Sequence, residues 1–215
     1  MKKNNDAYIQ EVLGLILAPA AERERFAADL RLHLQAAAEE GLTPDQVAAR
    51  LGSPRVVALE FMAGRALTYA GFWRRSVAFF IDIMVLGLLA LVPTVLGVVF
   101  SNLVPQHPQS ALDYVLGGLL ILLVLACILA VLGLVLLYFP LLEGRFGQTI
   151  GKRLLRMTVR REDGLPVGYK EAFLRRISYY LEILPFDALV IPFTARKQRA
   201  FDMVARTVVV RLPMI

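Results

Sequence analysis

Between Ser76 and Gly144 the chain carries neither lysine nor arginine, although 24 of its 215 residues are one or the other. Within that interval Ser76–Phe100 is a nearly continuous apolar run in which Asp82 is the single ionisable side chain. A helix of this length spans the ~30 Å hydrocarbon core of a bilayer. Phe72, Trp73, Arg74 and Arg75 stand at its mouth, a mixture suited to the headgroup boundary. Arg75 and Asp82 are seven residues apart, so they share one helix face, roughly 10 Å apart along the axis. A carboxylate carried that far into hydrocarbon is costly, so Asp82 is expected to face protein or water and to have a partner.

A second apolar run, about 114–139, has no charge until Glu143. The polar connection Ser101–Asp113 contains prolines but no lysine or arginine, which places it outside the cell, with both termini cytoplasmic. Tyr114 and Tyr138 suit the two interfaces, and Gly117, Gly118 and Gly133 offer small surfaces for close packing of the first span. Residues 140–176 hold nine basic against four acidic side chains, so they face the cytoplasm. Within them Gln148–Leu155 reads as an amphipathic interfacial helix, with Lys152 and Arg153 toward anionic lipid. The third apolar stretch, about 172–195, contains Glu182, Pro185, Asp187 and Pro192 and has basic residues on both flanks. It is expected to be a re-entrant or interfacial helical hairpin, a full span being the alternative. Residues 157–160 and 207–211 contain β-branched residues (Thr158, Val159 and Thr207–Val210) and are expected to pair, with Glu162–Gly164 a turn and Leu165–Gly168 its return strand.

The first 75 residues have ten basic and nine acidic side chains, a balanced, soluble-looking surface. About four short helices are expected over residues 5–60. The first runs from about Asp6 to Leu17, and its apolar core is too short for a cleaved signal peptide. In the second, Phe26, Leu30, Leu34 and Ala37 fall on one face, and His33 is expected to be a satisfied core residue. Gly41 ends that helix. Thr43 with Pro44 and Gln46, then Ser53 with Pro54 after Gly52, read as two successive helix starts. Residues 1–62 thus form a helical domain, 63–72 a linker and 73–215 a membrane domain. The expected fold is mainly all-α, with a transmembrane hairpin and a small cytoplasmic β element.

The apolar fraction, 57%, exceeds the roughly 45–50% of soluble domains, and such segregated basicity fits membrane orientation better than direct nucleic-acid binding. A single Cys127 and the distant His33 and His107 offer no disulfide framework and no metal spacing. No catalytic triad, Walker or dinucleotide pattern is present, so neither enzyme chemistry nor a cofactor is expected. Asp82 has three readings: a structural acid paired with an arginine (Arg75 through water, or Arg176), an ion or proton site, or a contact with another subunit. Asp187 and Asp202 join it and Arg75 as candidates for an ion or proton site, with Asp202 also read as a cytoplasmic salt-bridge acid. Trp73, Arg74, Lys152 and Arg153 are the candidate lipid contacts.

Arg75 and Asp82 with Ala78 between them, the run Gly147-Gln-Thr-Ile-Gly-Lys-Arg-Leu154, and Phe201-Asp-Met-Val-Ala-Arg-Thr-Val-Val209 together resemble the three signatures of the RDD family of bacterial membrane proteins. Phe201 stands where many members have histidine, and Arg206 where a small residue is common. Residues 39–54 resemble the core of helical HAAS-type signalling domains, which are associated with PadR-like regulators. The RDD resemblance implies a multi-pass protein of the cytoplasmic membrane, with cation/proton transport by a homo-oligomer as the leading function. The alternative it leaves is a membrane-anchored signalling or scaffold protein whose residues 1–62 bind a cytoplasmic regulator.

Overall fold

The computed structural model describes residues 2–42, 46, 50–63, 65–181 and 184–212. Three N-terminal helices, α1 (Lys2–Leu15), α2 (Ala20–Glu39) and α3 (Pro54–Met62), close around Ile9, Val12, Ile16, Leu30, Leu34 and Ala58. The expected apolar face of α2 is the buried one. His33 is not in this core: it is exposed, its Nδ1 lying 2.8 Å from the Asp29 carbonyl. Gly41 and Gly52 take positive φ, at 76° and 86°, where glycine has no steric penalty. Ser53 occupies the N-cap of α3 with Pro54 behind it, but its hydroxyl makes no capping bond. The cap read at Thr43–Pro44–Asp45 lies outside the described residues.

Helices α4 (Phe72–Leu103) and α5 (Ala111–Phe146) are the two long apolar elements. Both extend at each end beyond the spans read from hydropathy, and Arg75 and Glu143 in the added turns are buried against neighbouring protein. They run antiparallel. Gly97 toward the C-terminal end of α4 approaches Cys127 closely enough that a Cβ would sit 3.3 Å from it, while Asp82 toward the N-terminal end meets Tyr138. Gly118 and Gly133 have nothing within reach of an added Cβ, so they do not form the expected packing surface. Helix α5 opens with a capping box: Asp113 N–H donates to the Ser110 hydroxyl and Ser110 N–H to the Asp113 carboxylate. It ends at Gly147 in the left-handed region, φ 68°, as helix C-termini favour. The two helices have the length and composition to cross a membrane, and almost none of their apolar windows is covered by protein. Water would have to solvate that surface in a soluble protein; a bilayer does so without cost.

After α5 the chain turns back beneath the hairpin. Helix α6 (Ile150–Leu154) leads into β1 (Met157–Arg161), then α7 (Tyr169–Leu174), α8 (Ile177–Tyr180), α9 (Leu184–Leu189), a 3-10 turn (Ile191–Phe193), α10 (Ala200–Val204) and β2 (Thr207–Arg211). The third apolar stretch is therefore broken into short helices, none long enough to span. Phe186, Leu189 and Phe193 remain exposed on it, as an interfacial segment would leave them. Glu182 lies outside the described residues. Strands β1 and β2 pair antiparallel, Met157 opposite Arg211 and Arg161 opposite Thr207. The return read at Leu165–Gly168 is only an isolated bridge between Arg160 and Pro166. Instead the linker supplies the extra partner: Tyr69 bridges Val210, and Ala70 N–H donates to the Val209 carbonyl at 2.8 Å.

The N-terminal helices do not close on themselves. Leu165, 2% exposed, completes their core from the turn after β1, and Arg160 donates to the Leu15 carbonyl at 3.1 Å.

Candidate functional site

Asp82 is buried, and both of its oxygens are engaged by protein donors. Tyr138 Oη donates to Oδ1 at 3.0 Å, Gly151 N–H to the same oxygen at 2.8 Å, and Thr149 Oγ1 to Oδ2 at 2.5 Å. The local sequence explains the convergence. Thr149 is the N-cap of α6, its hydroxyl also accepting from Lys152 N–H, so the helix start is turned toward α4. Gly151 then lets α6 touch α4: a Cβ there would lie 2.1 Å from the Ala78 carbonyl oxygen. Ala78, fully buried, leaves the matching space on α4. Among the described residues neither Arg75 nor Arg176 bonds Asp82, their acids being Asp202 and Glu143, which corrects the reading of Asp82 as paired with one of these arginines. The reason is geometric: the α6 N-terminus fills the carboxylate's hydrogen-bonding directions first.

The arginines serve other acids. Arg75 donates to Asp202 Oδ2 at 2.8 Å and to the Ala70 carbonyl at 3.0 Å. Arg175, 1% exposed, bridges two carboxylates, with Nε on Asp202 at 2.8 Å and Nη1 on Glu143 at 3.0 Å. Glu143 also receives Lys152 and Arg176, and the Arg176 guanidinium lies 3.4 Å from the Phe139 ring centroid, a cation–π contact. Arg199 joins Asp202 at 3.2 Å and lies 3.7 Å from Asp187. Burial pushes the Asp202 carboxyl up, but Arg175, Arg199 and Arg75 outweigh it and hold the group well below the usual carboxylate range. Burial pushes the Lys152 ammonium down, against the pull of Glu143 and with the repulsion of Arg175 and Arg176, to about 7.

The structure thus gathers Asp82, Arg75, Asp187 and Asp202 at the charged end of the hairpin: Arg75 bonds Asp202, Arg199 lies between Asp202 and Asp187, and Asp82 bonds apart from these three. Asp187 is buried and accepts from Phe201 N–H at 2.9 Å, so it fixes the start of α10. Among the candidate lipid contacts, Trp73, Arg74 and Arg153 are exposed. Lys152 is not: it is buried against Glu143, because α6 faces the hairpin instead of lying flat on a membrane surface. Tyr138, expected at an interface, is likewise buried and donates to Asp82.

Sequence reasoning missed Glu143, Tyr138, Thr149, Gly151 and the bridging role of Arg175. One signal was available for Glu143. In a segment with nine basic and four acidic residues, an acid at the end of an apolar run is short of water and surrounded by cations. Tyr138 and Thr149 left no such trace, since their value depends on where α6 lands. Among the described residues no three of His, Cys, Asp and Glu gather as metal ligands.

These features map onto known families. The HAAS family model matches residues 7–60, the helical segment before the linker. No curated protein and no solved structure matches the chain. The RDD family model matches residues 69–206, more than half of the chain, and takes in Arg75, Asp82, the α6 N-terminus and Asp202; the chain belongs to the RDD family.

Proposed function

We propose that this protein is a membrane-anchored regulatory protein, in which the RDD domain holds the HAAS-like helices at the cytoplasmic membrane and passes them a signal. The carrying observation is Leu165. It is planted in the core of the N-terminal helices, while the sheet behind it leads to the charge network. Arg75 on the first span bonds Asp202 on α10, α10 runs into β2, β2 pairs with β1, and β1 ends beside Leu165. A tilt of α4 therefore has a continuous packed route to the N-terminal helices. Resemblance of residues 39–54 to HAAS domains makes a PadR-like regulator the partner expected on that end. No catalytic role is assigned to any residue in this reading, and both termini lie on the cytoplasmic side.

A second reading, cation/proton transport by a homo-oligomer, is favoured by one observation: Asp82 lines a cavity of about 160 Å³ at the inner end of the hairpin. Two measurements separate them. Purified full-length protein is titrated with a PadR-like regulator, and vesicles containing it are assayed for proton movement driven by sodium, lithium or potassium. Binding that is lost in Leu165→Asp, with flux equal to that of empty vesicles, supports regulation. Cation-driven flux abolished in a folded Asp82→Asn protein would assign transport instead.

A further inference from the structure

The cavity beside Asp82 is lined by five basic side chains, Arg75, Lys152, Arg175, Arg176 and Arg199, and one carboxylate, Asp82 itself. That carboxylate is already occupied by Tyr138, Thr149 and the Gly151 N–H. Glu143, Asp187 and Asp202 bond the same cations without lining the space. They leave two donors over: Arg75 Nη2 and Arg176 Nε are buried and meet no acceptor among the described residues. The two side chains are 9% and 4% exposed. An unpaired buried donor on a charged group is costly, and native proteins normally satisfy it with water or a ligand. At about 160 Å³ the space is far larger than the ~15 Å³ that one water needs.

The remaining lining narrows the ligand. Phe72, Phe79, Ala188 and Ile191 form apolar walls, and Phe186, Leu189 and Phe193 stand exposed on the same segment as Ala188 and Ile191. Cations and apolar side chains lining one space, next to an exposed apolar segment, match a phosphate ester with hydrocarbon attached. We infer that this cavity binds a phosphate group, supplied by an anionic lipid headgroup or by free phosphate, on Arg75 and Arg176. An oxyanion there accepts from both leftover donors and balances the cation excess around Lys152. Such charge-assisted bonds are the strong class of hydrogen bond. The inference is independent of whether the protein regulates or transports.

The test uses full-length protein in a neutral detergent and reads thermal stabilisation against added ligand. The three ligands are short-chain phosphatidic acid, the diacylglycerol with the same chains, and inorganic phosphate at constant ionic strength. Phosphatidic acid is expected to bind at least about tenfold more tightly than diacylglycerol, the gain that one of the two charge-assisted bonds alone would give. Saturation by inorganic phosphate at comparable concentration would assign the site to the free anion, and no response to it assigns the lipid; both support a phosphate site. Two variants fill the cavity from different walls and leave every cation in place, Ala188→Phe and Ser76→Phe. In whichever of them keeps the wild-type unfolding temperature without ligand, the preference is expected to vanish. A preference that survives filling belongs to surface charges such as Arg74 and Arg153, and overturns the inference. So does equal response to phosphatidic acid and diacylglycerol together with no response to phosphate.

Discussion

Arg75 and Asp202, 127 residues apart in sequence, meet at 2.8 Å in a buried ion pair that ties the mouth of the first span to the last helix. Asp202 is the hub of this contact, since Arg175 and Arg199 also bond it. Arg75→Gln leaves the carboxylate two guanidiniums, whereas Asp202→Asn removes a carboxylate from three, of which Arg175 keeps Glu143 and Arg199 keeps Asp187. Removing one partner of a buried pair costs about 3–5 kcal/mol. Asp202→Asn should therefore destabilise the protein more than Arg75→Gln, as read by thermal unfolding in detergent. The reverse order would show that Arg75, not Asp202, organises the cluster.

Asp82→Asn is expected to cost less. No cation is stranded, but an amide NH₂ replaces one acceptor where Tyr138, Thr149 and Gly151 all donate. Hydrogen bonds to charged groups contribute about 1.5–3 kcal/mol, and a loss in that range is the expected outcome. Adding Arg75→Gln or Arg176→Gln should deepen the loss, because neither guanidinium bonds Asp82. Rescue by either would restore the pairing read from sequence.

Gly151→Ala should be among the most damaging small substitutions in the chain. The added methyl would meet the Ala78 backbone oxygen at 2.1 Å, so α6 must leave α4 and take Thr149 from Asp82. Gly133→Ala, with open space around it, should be neutral or slightly stabilising through helix propensity. Comparable yields and unfolding temperatures for the two variants would remove the close α4–α6 contact from consideration.

Lys152 gives the protein a pH dependence near neutrality. It faces Glu143 on α5, Arg175 and Arg176 beside α8, and shares the cavity with Asp82 on α4. Its folded value of about 7 lies below the ordinary 10.5. Between those limits the unfolded chain holds a proton that the folded chain has released, so stability rises as pH climbs above about 7. Below about 7 both states are protonated and the destabilisation is fully present. Thermal unfolding between pH 6.5 and 9 should show this rise, and Lys152→Met should flatten it. An identical slope in the variant would place the titrating group elsewhere.

The charge distribution predicts a membrane topology with the connection between the two long helices outside. Cysteine introduced at Gln106, in the connection between the two long helices, should react with an impermeant thiol reagent in intact cells. Cysteine at Arg196, exposed beyond the 3-10 turn, should react only after lysis. Labelling of Arg196→Cys from outside would require the broken third segment to cross the membrane after all.

Local sequence rules determined the elements. The absence of lysine and arginine from 76 to 144 fixed the two long helices. Prolines and acids broke the third apolar stretch. β-branched residues paired 157–160 with 207–211, and Gly41 ended α2. Each follows from properties of neighbouring residues, which the chain carries wherever it folds. Partner choice at the inner end of the hairpin was decided by tertiary structure alone. Arg75 shares a helix face with Asp82, yet bonds Asp202, because α6 docks on Ala78 through Gly151 and presents Thr149 and a backbone N–H to Asp82 first. Lys152 and Tyr138 read as interfacial by composition, yet the same docking turns both inward to carboxylates. Hydrogen-bond partners of a buried charge depend on which distant segment arrives within 3 Å, and no local pattern encodes that distance.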